Sequence, residues 1–217
     1  MTRRFDPRLI LVTGSAAAGR SLEETVASAA RGGVTAVQLR DKAAPDEDLL
    51  RSALRLKAVL APYGVPLLLN DRVRVAAAAG AAGVHLGQDD APVSEARRAL
   101  GPEAVIGLSV ETLGQAAAAE DLDVDYYGVS PVFATPTKPD AGTPWGLDGL
   151  RELRRRTGRA LVAIGGIGAA NAAAVLEAGA DGLAVVSAIC AAEDPEAAAR
   201  SIRAVIDRTI RPGREGS

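Results

Sequence analysis

Five charged side chains fall where chemistry would need them. Arg40 and Lys42 follow the apolar run AVQL, Asp71 follows PLLLN, Asp90 follows GVHLG, and Lys138 stands in the polar segment SPVFATPTKPDAGTPWG. Arginine forks onto phosphate oxygens and lysine supplies a compact charge. Arg40 and Lys42 are two residues apart, so both can point at one ligand as they leave a strand. Two carboxylates facing a phosphate need a cation between them, and an oxygen-rich set suits magnesium. Each residue also has a plainer use. Lys42 can pair with the adjacent Asp41 at the surface, and either aspartate alone can cap a helix.

A second anion site is suggested by Gly165-Gly166, which precedes AANAAAVLEAG, and by Val186-Ser187, which precedes AICAAED. Both offer backbone amides at a helix start, although turns use the same residues. His85 lies inside the run GVHLG, where a packed, hydrogen-bonded histidine is commoner than a proton-transfer group. Trp145 either covers an apolar gap or helps a loop to close.

Composition narrows the field. The chain has 217 residues, a formal net charge of −2, one cysteine and one histidine. No intramolecular disulfide is possible, and a Cys/His zinc site is excluded; Cys190 reads as a buried, inert thiol. The charge gives no reason to expect nucleic acid or a membrane surface as a partner, so any anion must be held by local cations. The apolar part of MTRRFDPRLILVTGS is too short for a signal peptide, and no run nears the roughly 18 apolar residues of a membrane span. A soluble, cytoplasmic protein is expected.

The elements that must position these residues recur along the chain. LILVT, AVQLR, PLLLN, GVHLG, VIGLS, YYGVS, ALVAIGG and GLAVVS are short continuous apolar runs, the pattern of parallel strands buried on both faces. Between most of them lie helical periodicities such as SLEETVASAARGG, where Ser21 and Glu24 form a capping-box pattern and Gly32-Gly33 a stop. Eight such units with no break in composition predict a (β/α)8 TIM barrel forming a single domain over residues 1–217. The core is expected over about 9–208, with the tail 211–217 frayed. A doubly wound open sheet is the alternative. In a barrel every polar residue named above sits on one rim, at the C-terminal ends of the strands.

In order and spacing, VQLRDK, LLLNDRV, AAGVHLGQDD, IGLSVET, DYYGVSPVFATPTK, VAIGGI and NAAAVLEAGADGLAVVSAI resemble the thiamine-phosphate synthase family from about residue 9 to residue 200. The resemblance implies a magnesium-assisted transferase that condenses 4-amino-2-methyl-5-hydroxymethylpyrimidine diphosphate with a plain or carboxylated hydroxyethylthiazole phosphate. Pyrophosphate leaves and thiamine phosphate forms. Matched by motif, Gln38, Leu39, Arg40, Asp41, Lys42, Asn70, Ser109 and Lys138 would contact the pyrimidine diphosphate, with Arg40, Lys42 and Lys138 the catalytic cations. Asp71 and Asp90 would hold one magnesium ion, and Thr135, Pro136, Thr137, Gly166, Val186 and Ser187 would contact the thiazole phosphate. Ile10 and Gly14 depart from the tyrosine and aspartate that family members often carry in and after the first strand. A related thiazole tautomerase relies on a histidine two residues after the serine of the fifth strand; Glu111 occupies that position here, which disfavours an isomerase. A thiazole phosphate-binding homologue without turnover is a further alternative. Homo-oligomerisation stays open. Segment 130–146 is expected to act as a lid, mobile when empty and ordered over both ligands.

Overall fold

The computed structural model describes residues 5–14, 19–135 and 142–210; the tail expected to fray, 211–217, lies outside the described residues. Eight strands close on one another in chain order, every neighbouring pair parallel, so the barrel is the fold and the open sheet is excluded. They are β1 (Leu9–Val12), β2 (Ala36–Leu39), β3 (Leu67–Asn70), β4 (Gly83–Leu86), β5 (Val105–Val110), β6 (Tyr126–Val129), β7 (Ala160–Ile164) and β8 (Gly182–Val185). The helices around them are α1 (Leu22–Arg31), α2 (Asp46–Leu60), α3 (Val73–Ala79), α4 (Val93–Leu100), α5 (Leu113–Ala118), α6 (Gly146–Arg156), α7 (Ala172–Glu177), the single turn α8 (Ser187–Cys190), and α9 (Pro195–Thr209). Among the described residues no helix is long and apolar enough to cross a membrane.

Alternation along each strand builds two cores. Outward residues such as Leu9, Leu11, Val37, Leu69, Ile106 and Leu183 pack against the helices in one continuous shell. Inward residues form a smaller core of Ile10, Val12, Ala36, Leu68, Val105, Tyr126, Val162 and Ala184. Continuous apolar runs are therefore what both-face burial requires. Phe5 closes the lower end, stacking on Tyr126 with ring centroids 5.4 Å apart.

The helix ends are set locally. Ser21 Oγ accepts from the Glu24 amide at 3.1 Å while Ser21 N–H donates back to the Glu24 carboxylate at 2.8 Å, the reciprocal box expected from the residue types. Asp194 accepts from the Ala197 amide at 3.0 Å and starts α9. Cys190 is 1% exposed, and burial pushes its thiol pKa up, in keeping with an inert packing residue.

Glycines decide how closely adjacent strands meet. A Cβ added to Gly83 would lie 1.9 Å from the Val105 carbonyl oxygen, a backbone atom that cannot swing aside. Gly83→Ala is expected to destabilise the fold by about 3 kcal/mol or more, against about 1 kcal/mol for Ser21→Ala, which only removes a cap. Urea unfolding at pH 7 measures both; equal losses would contradict the tight approach of β4 and β5.

Candidate active site

The inward side chains at the C-terminal mouth differ around the ring. Strands β2 to β5 contribute Gln38, Asn70, His85 and Ser109, whereas β1, β6, β7 and β8 contribute Val12, Gly128, Ile164 and Ala184. One half of the mouth is polar and the other small or apolar. Two cavities follow this division. The first, about 130 Å³, is lined on its polar side by Gln38, Arg40, Lys42, Asn70, Asp90 and Ser109. The second, about 530 Å³, is bounded by Thr13, Thr135, the Gly165–Gly168 turn, Asn171, Val186 and Ser187. Val12, Arg40, Ser130, Ile164 and Ala184 border both, so the two cavities adjoin.

Hydrogen bonds fix the orientation of the polar half. Gln38, only 5% exposed, donates through Nε2 to Asn70 Oδ1 at 2.9 Å. Asn70 then donates through Nδ2 to Asp71 Oδ2 at 2.8 Å. A carboxylate only accepts, so this chain has one possible direction. Arg72 Nε lies 3.0 Å from Asp71 Oδ1 and continues through its other nitrogens to Asp46 and to the Lys42 carbonyl. Asp71 adopts φ of 52°, a left-handed conformation that aspartate tolerates better than most residues. Its N–H donates to the His85 carbonyl at 2.9 Å.

Arg40 is placed through its backbone: its N–H donates to Thr13 Oγ1 at 2.9 Å, and the residue borders both cavities. Arginines such as Arg155, Arg156 and Arg200 pair with carboxylates on their own helices, but neither Arg40 nor Lys42 is within ion-pair distance of a described carboxylate. The pairing of Lys42 with Asp41 is not formed. Asp41 instead accepts from the amides of Ala43 and Ala44, both at 3.1 Å.

The sequence-derived residues separate cleanly. Gln38, Arg40, Lys42, Asn70, Ser109 and Asp90 meet in the first cavity; Thr135, Gly166, Val186 and Ser187 meet in the second. Leu39 and Asp41 line neither: strand alternation turns Leu39 outward into the helix-facing core, and Asp41 spends its side chain on the following turn. Asp71 stands at the rim beside the first cavity, held by Asn70 and Arg72. Pro136, Thr137 and Lys138 lie outside the described residues, as does the centre of the expected lid. Its base is formed by Trp145 N–H on the Pro131 carbonyl at 2.9 Å and Gly146 N–H on the Val132 carbonyl at 3.0 Å, with Trp145 packed on the apolar shell.

Other contributors were missed. Asn171 holds the Gly165–Gly168 turn, donating to the Gly166 carbonyl and accepting from the Gly168 amide, both at 2.9 Å. Gly165 and Gly166 have φ of 107° and 65°, and Cβ atoms there would press on Pro131 and Phe133 at 2.9 and 2.8 Å. An asparagine at a helix start after two glycines was the available signal. Of the departures, Ile10 lines the first cavity, and a Cβ on Gly14 would sit 2.6 Å from Val186 Cγ1.

Comparison with known proteins points one way. The model of a family described as thiamine monophosphate synthase matches residues 9–189. A thiamine-phosphate synthase of Albidiferax ferrireducens is 60% identical over 201 residues, covering 92% of each chain. One from Chloroflexus aurantiacus is 50% identical over 94% of each chain. A solved structure, thiamine phosphate pyrophosphorylase from Pyrococcus furiosus, superposes with a TM-score of 0.85 at 35% identity, over 95% of this chain and 98% of that one.

The fixed direction of the Gln38–Asn70–Asp71 chain has a measurable consequence. Asn70→Asp removes the donor to Asp71 and sets two carboxylates side by side, costing roughly 1–3 kcal/mol at pH 7. Protonation of either carboxylate relieves the repulsion, so the stability gap from the unsubstituted protein narrows as pH falls toward 4. Thermal melts at pH 7 and pH 4 test this; a gap that widens on acidification would contradict it.

Proposed function

The chain belongs to the thiamine monophosphate synthase family and is a transferase with thiamine-phosphate synthase function; we propose that the two adjoining cavities divide its substrates between them. The pyrimidine diphosphate occupies the first, against Gln38, Asn70, Ser109, Arg40 and Lys42, with Lys138 contributing from the loop. The thiazole phosphate occupies the second, its phosphate on the amides of Gly166, Val186 and Ser187, with Thr135, Pro136 and Thr137 beside it. The carrying observation is that Arg40 borders both cavities without a carboxylate partner among the described residues. A phosphate site after β7 and β8 is frequent in barrels.

Magnesium fits the carboxylates present. Asp90 Oδ2 accepts from the Gly87 amide at 2.5 Å while Oδ1 has no hydrogen-bond partner among the described residues. Asp71 accepts one contact on each oxygen and keeps lone pairs to spare. No cluster of three or more ligating side chains occurs among the described residues, so substrate phosphate and water would have to supply the rest of the ion's shell. Asp71 and Asp90 would hold the ion, which when bound supplies positive charge beside the departing diphosphate.

The chemistry matches this inventory. The thiazole nitrogen lone pair forms the new carbon–nitrogen bond and becomes a thiazolium, so bond formation leaves no proton to remove. The methylene carbon–oxygen bond breaks and its electron pair leaves with pyrophosphate. Arg40, Lys42 and Lys138 stabilise that charge as it develops. The pyrimidine amino group spreads positive charge from the methylene, favouring an ionising path. The apolar half of the mouth, Val12, Ile164 and Ala184, keeps water from the cation. The partners are small molecules rather than nucleic acid or membrane, and the location is cytoplasmic.

Incubating the protein with both substrates and magnesium should yield thiamine phosphate and pyrophosphate by mass; no product would overturn the reading. Arg40→Ala is expected to lower kcat by about 100-fold or more, as losing a group that stabilises transition-state charge does. An electron-withdrawing ring substituent should slow turnover steeply, whereas an insensitive rate would exclude ionisation. Calorimetry should show magnesium binding at least about tenfold tighter with pyrophosphate present than without, since the protein supplies only part of the coordination shell. Equal affinities would remove the diphosphate from the ion's coordination shell, and unchanged affinity in Asp71→Asn and Asp90→Asn would remove the two carboxylates from it.

A further inference from the structure

Beneath Ser109 lies a polar chain that the reaction does not explain. His85 Nε2 is 2.9 Å from Ser109 Oγ, and His85 Nδ1 is 2.9 Å from the Tyr126 hydroxyl. Tyr126 is 1% exposed and reaches its place from β6, two strands away from β4. The space for both rings is made by glycines. A Cβ on Gly107 would lie 2.2 Å from Tyr126 Cζ and 2.5 Å from His85 Nδ1, and one on Gly128 would lie 2.6 Å from His85 Cε1. Two positions inside parallel strands thus give up their side chains so that a histidine and a tyrosine can meet, at a cost in strand stability.

The direction of this chain follows from donor counting. Burial first, then the nearby Asp125, pushes the Tyr126 pKa well above its ordinary value, so the hydroxyl keeps its proton. Its hydrogen-bond partner among the described residues is His85. A buried hydroxyl proton without an acceptor is costly, so Tyr126 donates to Nδ1. Neutral imidazole then carries its proton on Nε2 and donates it to Ser109 Oγ. With one of its two lone pairs engaged from below, Ser109 has its own proton free to turn toward the cavity it lines.

We propose that Tyr126 and His85 are positioning residues that set Ser109 as a hydrogen-bond donor, so that the substrate atom it meets is an acceptor: a pyrimidine ring nitrogen or a diphosphate oxygen. The exocyclic amine, a donor, can reach only the lone pair of Oγ that His85 leaves open. This rests on the assignment of Ser109 to the pyrimidine diphosphate made above. Without the chain the serine rotor divides its time between donating and accepting, and the loss falls on substrate recognition or turnover rather than on the fold.

A double-mutant cycle tests the proposal. Tyr126→Phe keeps the ring stacked on Phe5 and deletes only the hydroxyl. It should lower kcat/KM about tenfold, the worth of one oriented hydrogen bond. In a Ser109→Ala background the same change should matter by less than about twofold, because the group it acts through is gone. His85→Gln, which can still offer an N–H toward Ser109, should recover part of the rate lost in His85→Leu. Affinities for inorganic pyrophosphate and for the free pyrimidine alcohol name the acceptor: whichever weakens in Tyr126→Phe carries it. An equal penalty from Tyr126→Phe in both backgrounds would overturn the relay while leaving Ser109 in its assigned place. Full activity in Ser109→Ala would overturn it too, with synthase activity of the unsubstituted protein still standing. Far-UV circular dichroism and melting temperature exclude a folding defect as the cause.

Discussion

A polar side chain set into the wall of a ring of strands sees little water, so a protein partner there is what fixes its orientation. That demand organises the mouth of this barrel. Gln38, Asn70 and Asp71 satisfy one another across β2 and β3 in a single direction. Tyr126, His85 and Ser109 do the same across β6, β4 and β5. Each chain begins at a group with few alternatives, a carboxylate in one case and a buried phenol in the other, and the remaining orientations follow. Preorganisation of this kind spares the protein from ordering loose rotors when substrate arrives.

The other half of the ring is built on the opposite rule. Val12, Gly128, Ile164 and Ala184 are small or apolar and ask for no partners, so space opens beside them. Between the halves stands Arg40, tethered by its backbone to Thr13. Under the proposed assignment, two anionic substrates lie in adjoining cavities and repel each other, and a cation at the boundary offsets that repulsion for both. A chain of net charge −2 can hold anions in this way because cations elsewhere are neutralised locally, as Arg31 and Arg200 are by Glu196.

Much of this was legible in the residues. Buried parallel strands need apolar faces on both sides, so their runs stand out, and polar residues closing each run marked the rim. Gln38 faces inward on β2, Arg40 and Lys42 carry the same alternation just past its end, and the same rule, applied strictly, would have set Leu39 and Asp41 aside. What stayed hidden depends on register. That His85 meets Tyr126 follows from Gly107 standing between them, opposite His85 on one side and Tyr126 on the other, and single residues carry no sign of such pairings. The glycines of VIGLS and YYGVS were the available clue, since a glycine inside a strand commonly marks something bulky beside it. The left-handed Asp71 was equally invisible, its conformation being set by bonds to His85 and Arg72.

The base of the 130–146 segment carries one more implication. Pro131 and Val132 are tied to Trp145 and Gly146 by two backbone hydrogen bonds, and the tryptophan ring anchors that knot to the shell. Closed at its base in this way, the segment can change length at little cost to β6 and α6, since each doubling of a loop adds only about 0.6 kcal/mol of closure entropy. The scaffold is insulated from the segment it carries. Selection can lengthen, shorten or recolour that stretch to suit a differently substituted second ring without renegotiating the barrel.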